Sequence, residues 1–131
     1  MNSIEWQVTS LDLSRKLKEL GVKQNSIFFW LGGELRNNIF DNQDNYKDSF
    51  SAFTVAELWE KLPYRLDADR ITSFLVMKKV EQNDGTGKLN TILNYEMISG
   101  TIYPWCQNES NPANACAKML IRLIESGSVK P

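Results

Sequence analysis

Residues 71–98 read ITSFLVMKKVEQNDGTGKLNTILNYEMI, and this stretch decides the fold. Two runs rich in β-branched and aromatic residues flank Asn83-Asp84-Gly85-Thr86-Gly87. Glycine accepts the positive φ of a tight strand reversal, so the pattern predicts an antiparallel hairpin of two long strands. In the second run Leu89, Leu93, Tyr95 and Met97 share one face and Asn90, Asn94 and Glu96 the other. That alternation predicts one buried and one wet face.

Working outward, Gly100-Thr101-Ile102-Tyr103-Pro104 predicts a short further strand that stops at the proline. Asn111-Pro112 is a helix start, because proline at the first helical position loses no needed hydrogen bond. The helix runs from Ala113 to Ile124 with its polar residues Asn114, Lys118, Arg122 and Glu125 on one stripe, and Gly127 ends it. Upstream of the hairpin, Thr54-Val55-Ala56-Glu57 is a capping box, and Val55, Leu58, Trp59 and Leu62 recur at i, i+3, i+4, i+7 until Pro63. Ser10 caps a first helix of about ten residues carrying Leu13, Leu17 and Leu20 on one face, and Gly21 closes it. Ile27 to Leu31 fits a buried strand ending in the Gly32-Gly33 turn. Residues 36–49 are polar and asparagine-dense, which predicts either a mobile functional loop or partly a hairpin. Asp67 and Asp69 read as turn and helix-cap chemistry. Helices and strands that do not strictly alternate make the fold class α+β: an antiparallel sheet of about three to five strands with three helices packed on it, a layered α/β sandwich.

At 131 residues, 42% of them apolar, the chain is expected to form a single globular domain over residues 1–131. Fifteen basic and sixteen acidic side chains nearly cancel, which leaves no global footprint for nucleic acid or an anionic membrane. The chain has no histidine, so imidazole-based triads, HExxH zinc sites and histidine proton shuttles are excluded. Cys106 and Cys116 lack CxxC spacing and read as free thiols in a reducing compartment, with a disulfide between them as the alternative. With no signal peptide or membrane span in the pattern, the expected location is cytoplasmic.

No catalytic, metal or cofactor motif is complete, so no catalytic, metal-binding or cofactor residue is assigned and no cofactor is expected. Gly85-Thr86-Gly87-Lys88 resembles a phosphate loop, but Gln82 and Leu89 stand where glycine and Ser or Thr are needed. Asp41, Asp44 and Asp48 have a calcium-loop flavour without its glycine or closing glutamate. Glu81 and Glu96 are candidates to face each other across the hairpin. Cys106 is the one residue with nucleophile potential, and Cys116 reads as core. The aromatic residues carry more. Trp30, Trp59, Tyr64, Tyr103 and Trp105 sit at element ends or beside prolines, where a ring packs its body and keeps one edge at the surface. They form the candidate partner-binding surface, and with Lys61, Arg65 and Arg70 they offer a lesser reading as a stacking platform for single-stranded nucleic acid.

Residues 17–30 (LKELGVKQNSIFFW), 51–63 (SAFTVAELWEKLP) and 111–115 (NPANA) with the helix after them resemble three blocks of a family of short uncharacterised proteins of bacteriophages, prophages and gut bacteria such as Bacteroides. Members of that family often carry glycine where Trp59 stands. The resemblance implies a small intracellular α/β layered protein of mobile-element origin, with no established activity or site to carry over. Together these readings predict an accessory module that binds a protein partner or self-associates. The alternative is a small histidine-free enzyme or ligand-binding domain using carboxylates or Cys106.

Overall fold

The computed structural model describes residues 3–68, 71–82, 85–97 and 102–131, and the side chains of all of these except 3, 68, 71 and 102–106. Among them the chain forms three α-helices and seven strands in two antiparallel sheets, an α+β architecture. The first sheet has the order β2-β1-β3, from β1 (Phe28–Leu31), β2 (Glu34–Asn37) and β3 (Phe50–Ala52). The second has the order β4-β5-β6-β7, from β4 (Arg65–Ala68), β5 (Ile71–Glu81), β6 (Leu89–Met97) and β7 (Ile102–Glu109). The helices are α1 (Leu11–Glu19), α2 (Val55–Lys61) and α3 (Pro112–Glu125).

The long hairpin is β5 and β6, paired without a break from Ser73 opposite Met97 to Glu81 opposite Leu89. Its wet face is drier than the alternation predicts. Asn94 is buried, flanked by Val76 on β5 and Cys106 on β7, and its Oδ1 has no hydrogen-bond partner among the described residues. Leu89, expected in the buried set, is exposed where the strand emerges from the turn. The strand expected to end at Pro104 continues to Glu109, because β7 is an edge strand and its pairing with β6 shifts register between Asn94 and Glu96, where an absent N–H is tolerated.

The helix signals act where they stand. Ser10 caps α1 through the Leu13 N–H, and the exit is a Schellman turn: Val22 N–H to Leu17 C=O and Gly21 N–H to Lys18 C=O, both 3.0 Å, with Gly21 at φ 90°. Asn111 caps α3 through the Ala113 N–H. The inward face of α3 (Cys116, Met119, Leu120, Leu123) packs with Leu17, Leu58, Leu93 and Tyr95 in the larger core cluster. A smaller cluster gathers Val8, Trp30 and Ala52 around the three-stranded sheet.

Residues 36–49 are ordered by side chains. β2 pairs with β1 through the Gly32-Gly33 turn, so the hairpin reading holds for its first part. Beyond it Asn38 donates to Ser26 C=O (2.7 Å) and accepts from Gln43 N–H (2.8 Å), while Asp41 holds Arg36 at 2.8 Å and the Tyr46 hydroxyl at 3.1 Å. The Lys18 ammonium ties down the far end by donating to the Lys47 and Ser49 carbonyls, both at 2.8 Å. Asp67 is not in a turn but in β4, where it accepts from Thr72 (2.7 Å) and Arg65 (3.1 Å). Asp69, Arg70, Asn83 and Asp84, and the side chains of Tyr103, Trp105 and Cys106, lie outside the described residues.

Candidate functional site: an apolar groove beside α2

Trp30 does not reach the surface. It is 9% exposed, packs with Val8 and Ala52, and donates its indole N–H to the Thr9 carbonyl at 2.9 Å. A ring whose one polar atom is satisfied internally is core. Trp59 and Tyr64 are different: they are 40% and 75% exposed, and they flank one strand edge.

Three fixed points orient α2. The capping box closes its start, with the Thr54 N–H donating to Glu57 Oε1 at 2.9 Å and the Glu57 N–H to Thr54 Oγ1 at 3.2 Å. The second Glu57 oxygen accepts the Ile27 N–H at 3.1 Å, which anchors one flank to the chain entering β1. After the helix, the buried Tyr95 donates its hydroxyl to the Pro63 carbonyl at 2.7 Å. Burial holds the Tyr95 phenol protonated far above its ordinary range. Leu58 and Leu62 are buried, and Val55, Ala56, Trp59 and Glu60 form the flank adjoining that buried face, with Val55 still packed against the larger core.

That flank faces β5 across an open groove of about 810 Å³ lined by Val55, Ala56, Trp59, Glu60, Leu75, Val76 and Met77. Among the described residues Glu60 is its one charged group. The volume lies within the range of about 300–1,000 Å³ typical of ligand sites. The chain leaves α2 at Leu62 and meets β5 at Tyr64, whose carbonyl accepts the Leu75 N–H at 3.0 Å. From there β4 pairs with Ile71 to Phe74 only. Among the described residues no strand pairs with this side of β5 beyond Leu75.

A second apolar feature lies on the 37–41 turn, where Ile39 and Phe40 are 77% and 88% exposed. The turn beneath them is tied by Ile39 N–H to Asn37 Oδ1 (2.8 Å) and by Phe40 and Asp41 N–H to the Asn37 carbonyl (both 3.1 Å). Sequence reasoning passed over this pair, whose signal is two adjacent large apolar residues inside a polar run.

The candidate chemical groups are occupied structurally or dispersed. Glu96 sits opposite Phe74 and pairs with Lys78 at 2.7 Å, while Glu81 lies at the other end of the hairpin opposite Leu89, so these two carboxylates do not face each other. Arg36 beside Asp41, with help from Tyr46, holds that carboxyl below the usual aspartate range. Burial pushes the Cys116 thiol up to about 11, which disfavours its thiolate. The Lys61 ammonium lies 5.3 Å from the Phe53 ring centroid, and Arg65 is paired with Asp67 at 3.1 Å, so both basic neighbours of Trp59 and Tyr64 have intramolecular partners. Among the described residues no group of three or more acidic or cysteine side chains is placed to hold a metal ion, and no helix is long and apolar enough to cross a membrane. No protein-family model, curated protein or solved structure matches the chain.

Proposed function

We propose that the protein is a non-enzymatic interaction module, an accessory protein of the mobile-element type, that binds a protein partner through the groove between α2 and β5. One observation carries the reading: an exposed tryptophan on a helix clamped at both ends forms the wall of an open apolar groove. Large apolar surface left in water on a rigid support is a marker of partner binding, and tryptophan is among the residues enriched at the energetic centre of such contacts. The helix is held by the core before any partner arrives, so little ordering cost falls on binding.

The test is selection of binding peptides from a random display library on the immobilised full chain. Enriched peptides that bind the wild-type protein, and bind Trp59→Ala at least tenfold more weakly while its circular dichroism is unchanged, support the reading. Failure to enrich any sequence, or enrichment indifferent to Trp59→Ala and to the groove-filling Ala56→Arg, overturns it.

A further inference from the structure

We infer that the occupant of the groove is an extended segment of another protein that adds to β5 as a fifth strand of the larger sheet. The inference rests on the interaction reading above and specifies how the groove binds.

The backbone parity of β5 is set by two hydrogen bonds. Leu75 N–H points away from β6, to the Tyr64 carbonyl at 3.0 Å, and Gln82 N–H points toward β6, to the Lys88 carbonyl at 2.8 Å. The β5–β6 register is regular over Ser73 to Glu81. The main-chain groups of Met77 and Lys79 therefore point the same way as those of Leu75, along the side that β4 leaves uncovered beyond Phe74. Pro63 explains the vacancy: with no N–H to offer and α2 immediately before it, the chain cannot extend β4 backward along β5. The result is a strand edge whose donors and acceptors at Met77 and Lys79 have no partner among the described residues, bordered by the wall of Val55 and Trp59. Strand addition uses this combination, with main-chain bonds for affinity and a side-chain pocket for every second residue.

Charge selects the occupant. Glu60 stands on the wall, and the exposed Lys79 lies two residues beyond Met77 on the same face of β5. The matching segment carries a basic side chain at the Glu60 end, an apolar one between Trp59 and Met77, and an acidic one at Lys79. A second copy laid antiparallel over Met77 to Lys79 brings Lys78 against Lys78 and Met77 against Lys79, matching neither charge nor apolar surface.

The experiment measures amide hydrogen exchange of the full-length, ¹⁵N-labelled protein with and without the most enriched display-selected peptide. Strand addition predicts at least tenfold slower exchange at Met77 and Lys79, with Val76 and Lys78, already bonded to β6, unchanged. It also predicts that Lys79→Pro, which removes one outward N–H, weakens the peptide at least tenfold while Lys79→Ala does so less. Should Lys79→Pro fail to fold, the exchange pattern decides alone. A peptide that binds and shifts Trp59 emission without protecting Met77 or Lys79 overturns strand addition and leaves the interaction module intact. Protection at Met77 and Lys79 that rises with protein concentration in the absence of peptide assigns the edge to a second copy and overturns the partner. If no peptide is enriched at all, the interaction reading fails and takes this inference with it.

Discussion

At the scale of single residues, the aromatic that the sequence put at the surface and one that it passed over change places in the fold. Trp30 sits in the smaller core with its indole N–H on the Thr9 carbonyl, and Phe40 stands in water on a hydrogen-bonded turn. Trp30→Phe is expected to destabilise by about 1–3 kcal/mol, because it leaves the buried Thr9 carbonyl only the longer 3.4 Å bond from the Ser14 hydroxyl, and Phe40→Ser to stay within about 0.5 kcal/mol; urea unfolding of both variants checks this. Asp41 supplies a pH dependence with a defined sign. Its folded pKa is lowered by Arg36, so its contribution is present above the ordinary aspartate value and disappears as the pH falls through the folded one. The stability gap between wild type and Asp41→Asn is therefore expected to be constant near neutrality and to close only below about pH 3.9, which acid titration monitored by circular dichroism checks. Cys116, with its thiol raised to about 11 in the core, is expected to resist iodoacetamide in the native protein and to react on unfolding, with mass spectrometry locating the label.

At the scale of elements, the three helix caps do different amounts of work. The Thr54 side chain bonds only within the cap of α2, to Glu57, and Thr54→Ala is expected to cost about 1 kcal/mol. Asn111 caps α3 through the Ala113 N–H (2.9 Å) and also donates to the Val8 carbonyl (3.0 Å). Asn111→Ala is thus expected to cost about 2–3 kcal/mol, one cap plus one buried carbonyl left unpaired, and thermal unfolding of the two variants separates them. These helices were legible in the sequence because their start and stop signals are local: Ser10 and Gly21, Thr54 with Glu57 and Pro63, Asn111-Pro112 and Gly127. The β5–β6 hairpin was legible for the same reason. β4 was not, and β2 was legible only in part, through the hairpin alternative for residues 36–49, since Glu34–Asn37 and Arg65–Ala68 are four-residue edge strands with charged side chains that become strands only because β1 and β5 lie beside them. Asn94 looked wet by alternation, but alternation is blind to the strands on either side, which set Val76 and Cys106 beside it. The groove was half visible. Trp59 was identifiable from its place at a helix end, whereas the open side of β5 emerges only from where β4 stops.

At the scale of the whole molecule, the two sheets and both core clusters are joined by contacts between residues far apart in the chain. Val8 and Ser10 receive Asn111 and Asn114: the Asn111 amide donates to the Val8 carbonyl at 3.0 Å, and the Ser10 N–H donates to Asn114 Oδ1 at 2.9 Å. Thr9, between them, takes the Trp30 indole and pairs with Phe53 through its N–H at 3.0 Å. Three consecutive residues thus touch the smaller sheet, the start of α2 and the last helix. The consequence is one of timing. Residues 8–10 are synthesised more than a hundred residues before their partners on α3, and at roughly 5–20 residues per second that is a wait on the order of 5–20 s. Until α3 leaves the ribosome, residues 8–10 hold Trp30 and Phe53 but not the last helix, and the smaller sheet spends that interval paired within itself and not yet tied to the larger core.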